Sequence, residues 1–333
     1  MFIVENYIVA VFFCVITMLC WGSWANTQKM VSGRWRYELF YWDYVIGIFV
    51  FSLLAAFTLG SFGDAGRSFL NDLSQASFAN LKSAFIGGVI FNLANILLTT
   101  AIAIAGMAVA FPVGIGIALI LGVVVNYFLL EKGDPLLLFV GVALVSVAIV
   151  LNGIAFRAGE SGKKKAGGKG ILISVLAGVL MSLFYRFVAG SMDLNDFVSP
   201  ASGKMTPYTA CVVFSTGILI SNLLFNTIMM KRPVEGPKLS YKEYFSGRKG
   251  LHLVGLLGGS IWALGNLFNL IAAGKAGPAI SYGLGQGATL IAVLWGVLVW
   301  REFKNASPKI VGFLTGMFVF FIAGLGLIII SGK

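Results

Sequence analysis

Residues Gly87–Glu131, GGVIFNLANILLTTAIAIAGMAVAFPVGIGIALILGVVVNYFLLE, decide the fold because the chain carries them twice. Displaced by 171 positions they lie without a gap on Gly258–Glu302, GGSIWALGNLFNLIAAGKAGPAISYGLGQGATLIAVLWGVLVWRE, with 14 identities in 45 positions. The pairs include Gly87/Gly258, Gly88/Gly259, Asn95/Asn266, Gly106/Gly277, Gly114/Gly285, Gly116/Gly287 and Glu131/Glu302. In so skewed a composition chance gives roughly one identity in nine, so the match points to duplication. Gly141/Gly312 and Gly153/Gly324 carry the same displacement further.

Each copy holds two apolar runs of the length that crosses a bilayer, about 20 residues per helix. Lipid offers no hydrogen-bond partners, so continuous runs of that length must be helical, and they are too uniformly apolar for barrel strands. The whole chain agrees: 333 residues, 58% hydrophobic, 11% charged, mean hydropathy +0.92. A soluble globule is excluded. Reading outward gives ten spans, at 7–28, 39–60, 82–103, 108–130, 135–156, 171–190, 206–230, 251–274, 278–300 and 308–330. The fold expected is an all-α polytopic membrane protein of ten transmembrane helices.

The segment ESGKKKAGGKG, 160–170, is the one linker-like stretch. The expected organisation is therefore a first five-helix repeat at 1–156, a linker at 157–170 and a second repeat at 171–333. An odd number of spans per repeat forces the two copies into opposite directions. Inverted repeats of this kind build secondary transporters, with the solute site near the midplane between the halves.

Lysine and arginine set the orientation. The connections after spans 1, 3, 5, 7 and 9 hold 17 of the 24, against six on the other side and Arg186 within a span. By the positive-inside rule the odd-numbered connections face the cytoplasm and both termini face out, in a cell (inner or plasma) membrane. The net charge of +11 is thus a topology signal, not a nucleic-acid footprint. Cys14, Cys20, Cys211 and the single His252 make no metal-ligand spacing and no disulfide framework. No Walker A motif, serine-histidine-acid set or cofactor motif is present, so an enzyme is not expected. MFIVENYIVAVFF has no cation before its apolar run and reads as a retained first helix, not a cleaved signal.

Polar residues inside the runs are the candidate site. Asn92 and Asn95 share a face of span 3, and Asn266 and Asn269 do so on span 8. An amide offers two donors and an acceptor, enough either to grip a neutral polar solute or to pin helix to helix. The apolar mates of Asn92 and Asn269, Ala263 and Leu98, favour a solute role for those two. Tyr282, Gln286 and Thr289 form a polar stripe on span 9 where span 4 has Phe111, Ile115 and Ala118. Arg186, beside Tyr185 in MSLFYRFV, lies roughly 22 Å along span 6, beyond the midplane. It needs either a cavity or an acid such as Asp193 or Asp196. Asp43, about one turn inside span 2, is either a proton-coupling carboxylate or an interfacial acid balancing Arg34 and Arg36. Trp21 and Trp24 share a face at the cytoplasmic end of span 1. They form either an inner stacking wall, with Gly22 admitting a neighbouring helix, or part of the interfacial aromatic belt.

SWANTQKM followed by YELFYWDYVIGIFVFSLLAAFTLG resembles the first two spans of plant ureide permeases. NLANILLTTAIAIAGMAVAFPVGIGIALILGVVVNYFL resembles their spans 3 and 4, and GVLMSLFYRF their span 6. The likeness extends to bacterial glucose/ribose and rhamnose porters of the drug/metabolite transporter superfamily. It implies ten helices in two inverted repeats and proton-coupled uptake, of allantoin, uracil and similar oxo-heterocycles in the ureide permeases. Two departures stand out: Arg186 where a proline is expected, and a short central loop.

The expected function is proton symport of a small neutral polar metabolite, ureide, nucleobase or sugar, through Trp24, Asn92, Asn95, Tyr185, Arg186, Asn266, Asn269, Tyr282 and Gln286, with Asp43 carrying the proton. A drug or metabolite exporter and a non-transporting membrane sensor are the alternatives. The partners implied are the solute, the bilayer and protons. The sequence does not specify an oligomer.

Overall fold

The computed structural model describes residues 1–63, 65–105, 107–159, 168–234, 236–301, 303–304 and 306–333. Most of the 160–170 linker therefore lies outside the described residues. The chain is helical: α1 (Tyr7–Ser23), α2 (Ala25–Val31), α3 (Tyr37–Phe57), α4 (Phe69–Gln75), α5 (Phe78–Ala105), α6 (Met107–Tyr127) and α7 (Pro135–Gly159) make up the first part. The second part contains α8 (Gly168–Gly190), α9 (Pro207–Lys231), α10 (Tyr241–Phe245), α11 (Lys249–Ala276), α12 (Pro278–Gly285), α13 (Ala288–Leu294), a π-helical turn at Trp295–Val299, and α14 (Pro308–Ser331). No strand occurs among the described residues, only one isolated bridge, Met192 to Met205.

Nine stretches among the described residues are long and apolar enough to cross a membrane. Expected span 4 corresponds to α6, whose recorded apolar stretch, Pro112–Tyr127, is shorter. Two spans are broken. Span 1 turns at Trp24 between α1 and α2, and span 9 turns at Gln286–Gly287 before ending in the π turn. The short helices α4 and α10 lie in connections, where hydropathy carries no signal for them. Helix starts follow local chemistry: Asn6 caps α1 by accepting from Val9 N at 2.8 Å, and prolines open α9, α12 and α14, where the missing N–H costs nothing.

The helices pack as α5 on α8 and α9, α11 on α1 and α3, α8 on α6, α3 on α9, α6 on α12, and α7 on α14. Without a hydrophobic drive between helices in lipid, these seams use small residues that let backbones meet. A Cβ on Gly88 would collide with the Phe214 carbonyl of α9, and one on Gly259 with the Tyr44 carbonyl of α3. Gly217 meets the Phe85 carbonyl and Gly47 the Leu256 carbonyl in the same way. Gly141 and Gly324 are reciprocal, each Cβ falling 2.7 Å from the other's carbonyl oxygen.

At the even-loop end the connections interlock. Fully buried Asp72 of α4 pairs with Arg67 (2.9 Å) and accepts from Thr206 N (2.7 Å), while Arg67 also donates to Pro200 O and Lys204 O. These bonds tie the α3–α5 and α8–α9 connections together at that end of the bundle.

Candidate solute cavity

The other end is open. A cavity of about 500 Å³ enters between α2, α5, α6, α7 and the span of α13, its mouth marked by Lys29, Ser32, Pro112, Phe156 and Trp300. Its floor is aromatic. Trp21 and Trp262 stack with ring centres 5.8 Å apart and planes 11° apart, and Phe91 abuts Trp262 at 4.5 Å and Phe184 at 5.1 Å. Trp21 reaches this position because α11 and α12 present glycines to it. A methyl on Gly265 would lie 2.9 Å from the indole and one on Gly285 2.8 Å from it.

Amides line the wall above the floor: Asn95 from α5, Asn152 from α7 and Gln286 at the break in span 9. The side-chain oxygen of buried Asn152 has no partner within the protein. Pro112 contributes to the same wall from inside α6, where it supplies no N–H to the helix. At the mouth, Trp295 Nε1 donates to Ser23 Oγ at 2.8 Å, Trp300 Nε1 donates to Asn26 Oδ1 at 2.6 Å, and Lys29 Nζ lies 4.3 Å over the Trp300 ring. The broken end of span 1 is thereby laced to the broken end of span 9. Gly22 permits the approach, since a Cβ there would strike Ala288 O and Ile291 of α13.

Trp24, Asn95 and Gln286 stand together on this cavity wall, Trp24 with its ring 4.6 Å from Tyr44. Tyr185, Asn269 and Tyr282 are fully buried off the cavity wall. The Tyr185 hydroxyl meets Ser281 Oγ at 3.0 Å and Asn269 O at 3.2 Å, Asn269 Nδ2 donates to Ser281 O at 2.8 Å, and the Tyr282 hydroxyl is 3.2 Å from both Ala118 O and Met181 O. Asn92 and Asn266 sit in helix seams away from the wall. Asn92 accepts from Tyr41 and donates to Ser221 Oγ and Ile218 O, and Asn266 donates to Cys211 Sγ at 3.8 Å.

Arg186 is exposed on α8 and donates to Val125 O of α6 at 2.8 Å. That carbonyl belongs to the last turn of α6, so the guanidinium caps a helix C-terminus, a favourable place for a cation. The two acids weighed as its partners are engaged with their own loop. Asp193 accepts from Asn195 N and Ala201 N, and Asp196 from Val198 N and Ser199 N.

Asp43 is buried at the seam of α3, α10 and α11, not on the cavity wall. His252 Nδ1 lies 2.8 and 3.0 Å from its two oxygens, and Tyr244 donates to it at 2.6 Å. Trp35 packs edge-on against His252 at 5.1 Å. Burial first, and then the bond to Asp43, raise the Tyr244 phenol above its ordinary value, so it stays a donor across physiological pH. Sequence reasoning did not reach Phe91, Phe184, Trp262, Asn152, Tyr244 or His252 as contributors to these sites. Only Asn152, a lone amide within the apolar run IVLNGIAF, carried a signal that was there to be read.

The sequence model of the ureide permease family matches residues 40–169 and 161–331, most of the chain in two pieces that meet at the linker. The chain belongs to the ureide permease family. It is similar to "Ureide permease 2" of Arabidopsis thaliana, 24% identical over 395 aligned positions that cover 99% of each protein. That alignment is longer than this family member's 333 residues, so the plant relative carries segments this chain lacks. Similarity extends to the "Putative sugar uptake protein YxfA" of Lactococcus lactis subsp. lactis, 20% identical and covering 97% of this chain and 99% of that one. A crystal structure of a protein 15% identical shares the fold, with a TM-score of 0.59 over 97% of this chain and 96% of the other. As a ureide permease family member with nine bilayer-length apolar helices among its described residues, the chain is a multi-pass membrane transporter and not an enzyme.

Proposed function

We propose that the protein is a proton-coupled uptake carrier for a small, flat, neutral polar solute of the ureide or nucleobase kind. The cavity carries this reading. A stacked tryptophan floor offers a π face to a planar ring, and Asn95, Asn152 and Gln286 offer edge donors and acceptors, with the Asn152 oxygen left without a partner. Permease names among the relatives point the same way, while the sugar uptake relative favours a hexose as the second reading, since aromatic faces and amides suit sugars also.

The architecture proposed is ten spans in two inverted repeats, 1–156 and 171–333, joined by the linker 157–170. The helix pairings support it, because exchanging the halves turns α5 on α9 into α11 on α3, and α5 on α8 into α11 on α1. The colliding glycines follow suit: Gly88 and Gly259 are repeat mates, and so are Phe85 and Leu256. With odd-numbered connections in the cytoplasm and both termini outside, the cavity faces inward and the Tyr185/Tyr282 layer is the closed outer gate.

Counterflow in proteoliposomes tests the substrate. Labelled uracil or allantoin should exchange and be competed poorly by glucose, and glucose exchange with no uracil exchange would establish the sugar reading instead. Binding without exchange of either would remove the carrier reading.

A further inference from the structure

The connection between α9 and α11 has a cationic surface that lies off the solute cavity. Lys231, Arg232, Lys238, Lys242, Arg248 and Lys249 are all exposed. Among the described residues of this connection the one acid, Glu243, is spent on its own helix, taking Ser240 N at 2.7 Å in a capping box. Between the cations, Phe245 is 78% exposed and Tyr241, one turn earlier on the same face of α10, is 40% exposed.

Depth follows from the contacts of α10. The Tyr241 hydroxyl bonds Thr227, four residues before the end of α9 and so about 6 Å inside it. The Tyr241 ring lies 5.8 Å from Trp42 of α3. The short helix therefore lies along the flank of the bundle at the level where the spans end, not out in the water. It is held firmly there: Tyr244 donates to buried Asp43, and Leu239 N donates to Met230 O at 2.9 Å.

We propose that this connection is a docking surface for the anionic phospholipid headgroups of the leaflet it borders, with its lysines and arginines on lipid phosphates and Phe245 in the acyl boundary. Cations next to an aromatic at this depth form the pattern that an interfacial element uses against anionic lipid. Each cation near such a surface is worth about a fivefold preference at moderate salt, and the attraction fades beyond a Debye length of about 8 Å.

The test uses the full-length chain with Phe245→Cys labelled by an environment-sensitive fluorophore, the cysteines at 14, 20 and 211 being buried. In liposomes of phosphatidylcholine with phosphatidylglycerol admixed, brominated phosphatidylglycerol should quench the probe several-fold more than brominated phosphatidylcholine. High salt should erase the difference. So should the combined change Lys238→Gln, Lys242→Gln, Arg248→Gln and Lys249→Gln, all at exposed positions. Equal quenching by the two lipids, or a preference that survives both salt and charge removal, overturns the proposal. So does a probe that reports water in every liposome, the result expected of a surface reserved for a soluble partner.

Discussion

The Tyr41 hydroxyl stands between two asparagines of α5, donating to Asn92 Oδ1 at 2.9 Å and accepting from Asn95 Nδ2 at 3.1 Å. One of the two amides lines the cavity and the other is fully buried in the α3–α5–α9 seam. Residues three apart on one helix face thus have different neighbours, because the seam and the cavity meet between them.

Asn92→Ala should therefore act on stability. It leaves the buried Tyr41 O–H without its acceptor, a loss of about 1–3 kcal/mol, with the apparent substrate constant near that of the unaltered protein. Asn95→Ala should raise that constant about fivefold, the worth of one neutral hydrogen bond, with a smaller fall in melting temperature. Thermal unfolding in detergent and counterflow kinetics on the same preparations separate the two. Equal kinetic effects would bring Asn92 into contact with the solute.

Gly88→Ala and Gly259→Ala should destabilise alike. In each the new methyl meets a backbone carbonyl, of Phe214 or of Tyr44, which cannot rotate away as a side chain would. Overpacking of this kind costs typically 1–3 kcal/mol. Gly312→Ala, with nothing near its Cβ, is the control and should melt with the unaltered protein.

The apolar spans were legible in sequence because bilayer length is a one-dimensional property. The cavity floor was not. Phe91, Phe184 and Trp262 are aromatic residues in apolar runs, and in composition they match lipid-facing Phe128 or Phe12 until the helix pairing says which face turns inward. The pairing of Asp43 with His252 spans 209 positions and needs α3 and α11 to be adjacent, which no local pattern states. Helices α4 and α10 escaped because they are too short for periodicity to show. The turn at Trp24 was marked by its glycine and tryptophans, whereas the π turn at Trp295–Val299 had no marker in an unbroken apolar stretch.

Arg186→Met should leave transport kinetics intact, since the side chain lies off the cavity wall, and lower stability by about 1 kcal/mol through loss of the cation at the end of α6. Arg186→Lys should recover part of that loss. A raised substrate constant in either variant, read by counterflow, would return the residue to the solute path.

Asp43 lies off the cavity wall, and a coupling role for it requires that its charge be felt through packing, not through contact with the solute. Gly255 of α11 provides that packing: a Cβ on it would overlap Asp43 Cβ, so α3 and α11 meet at this carboxylate. His252, Tyr244 and Trp35 surround it from three separate segments. Protonation would change the hydrogen bonds of Asp43 with His252 and Tyr244 and so the packing of α3 on α11, the helix that carries Trp262 to the cavity floor. Asp43→Asn, fixed in the uncharged form, should abolish accumulation driven by a pH gradient while sparing solute exchange at equal pH. Tyr244→Phe removes one hydrogen bond and leaves the carboxyl, so it should keep accumulation and shift only its pH dependence. Accumulation by Asp43→Asn equal to that of the unaltered protein would move the proton to another group, and loss of exchange together with accumulation would make Asp43 a residue of the fold.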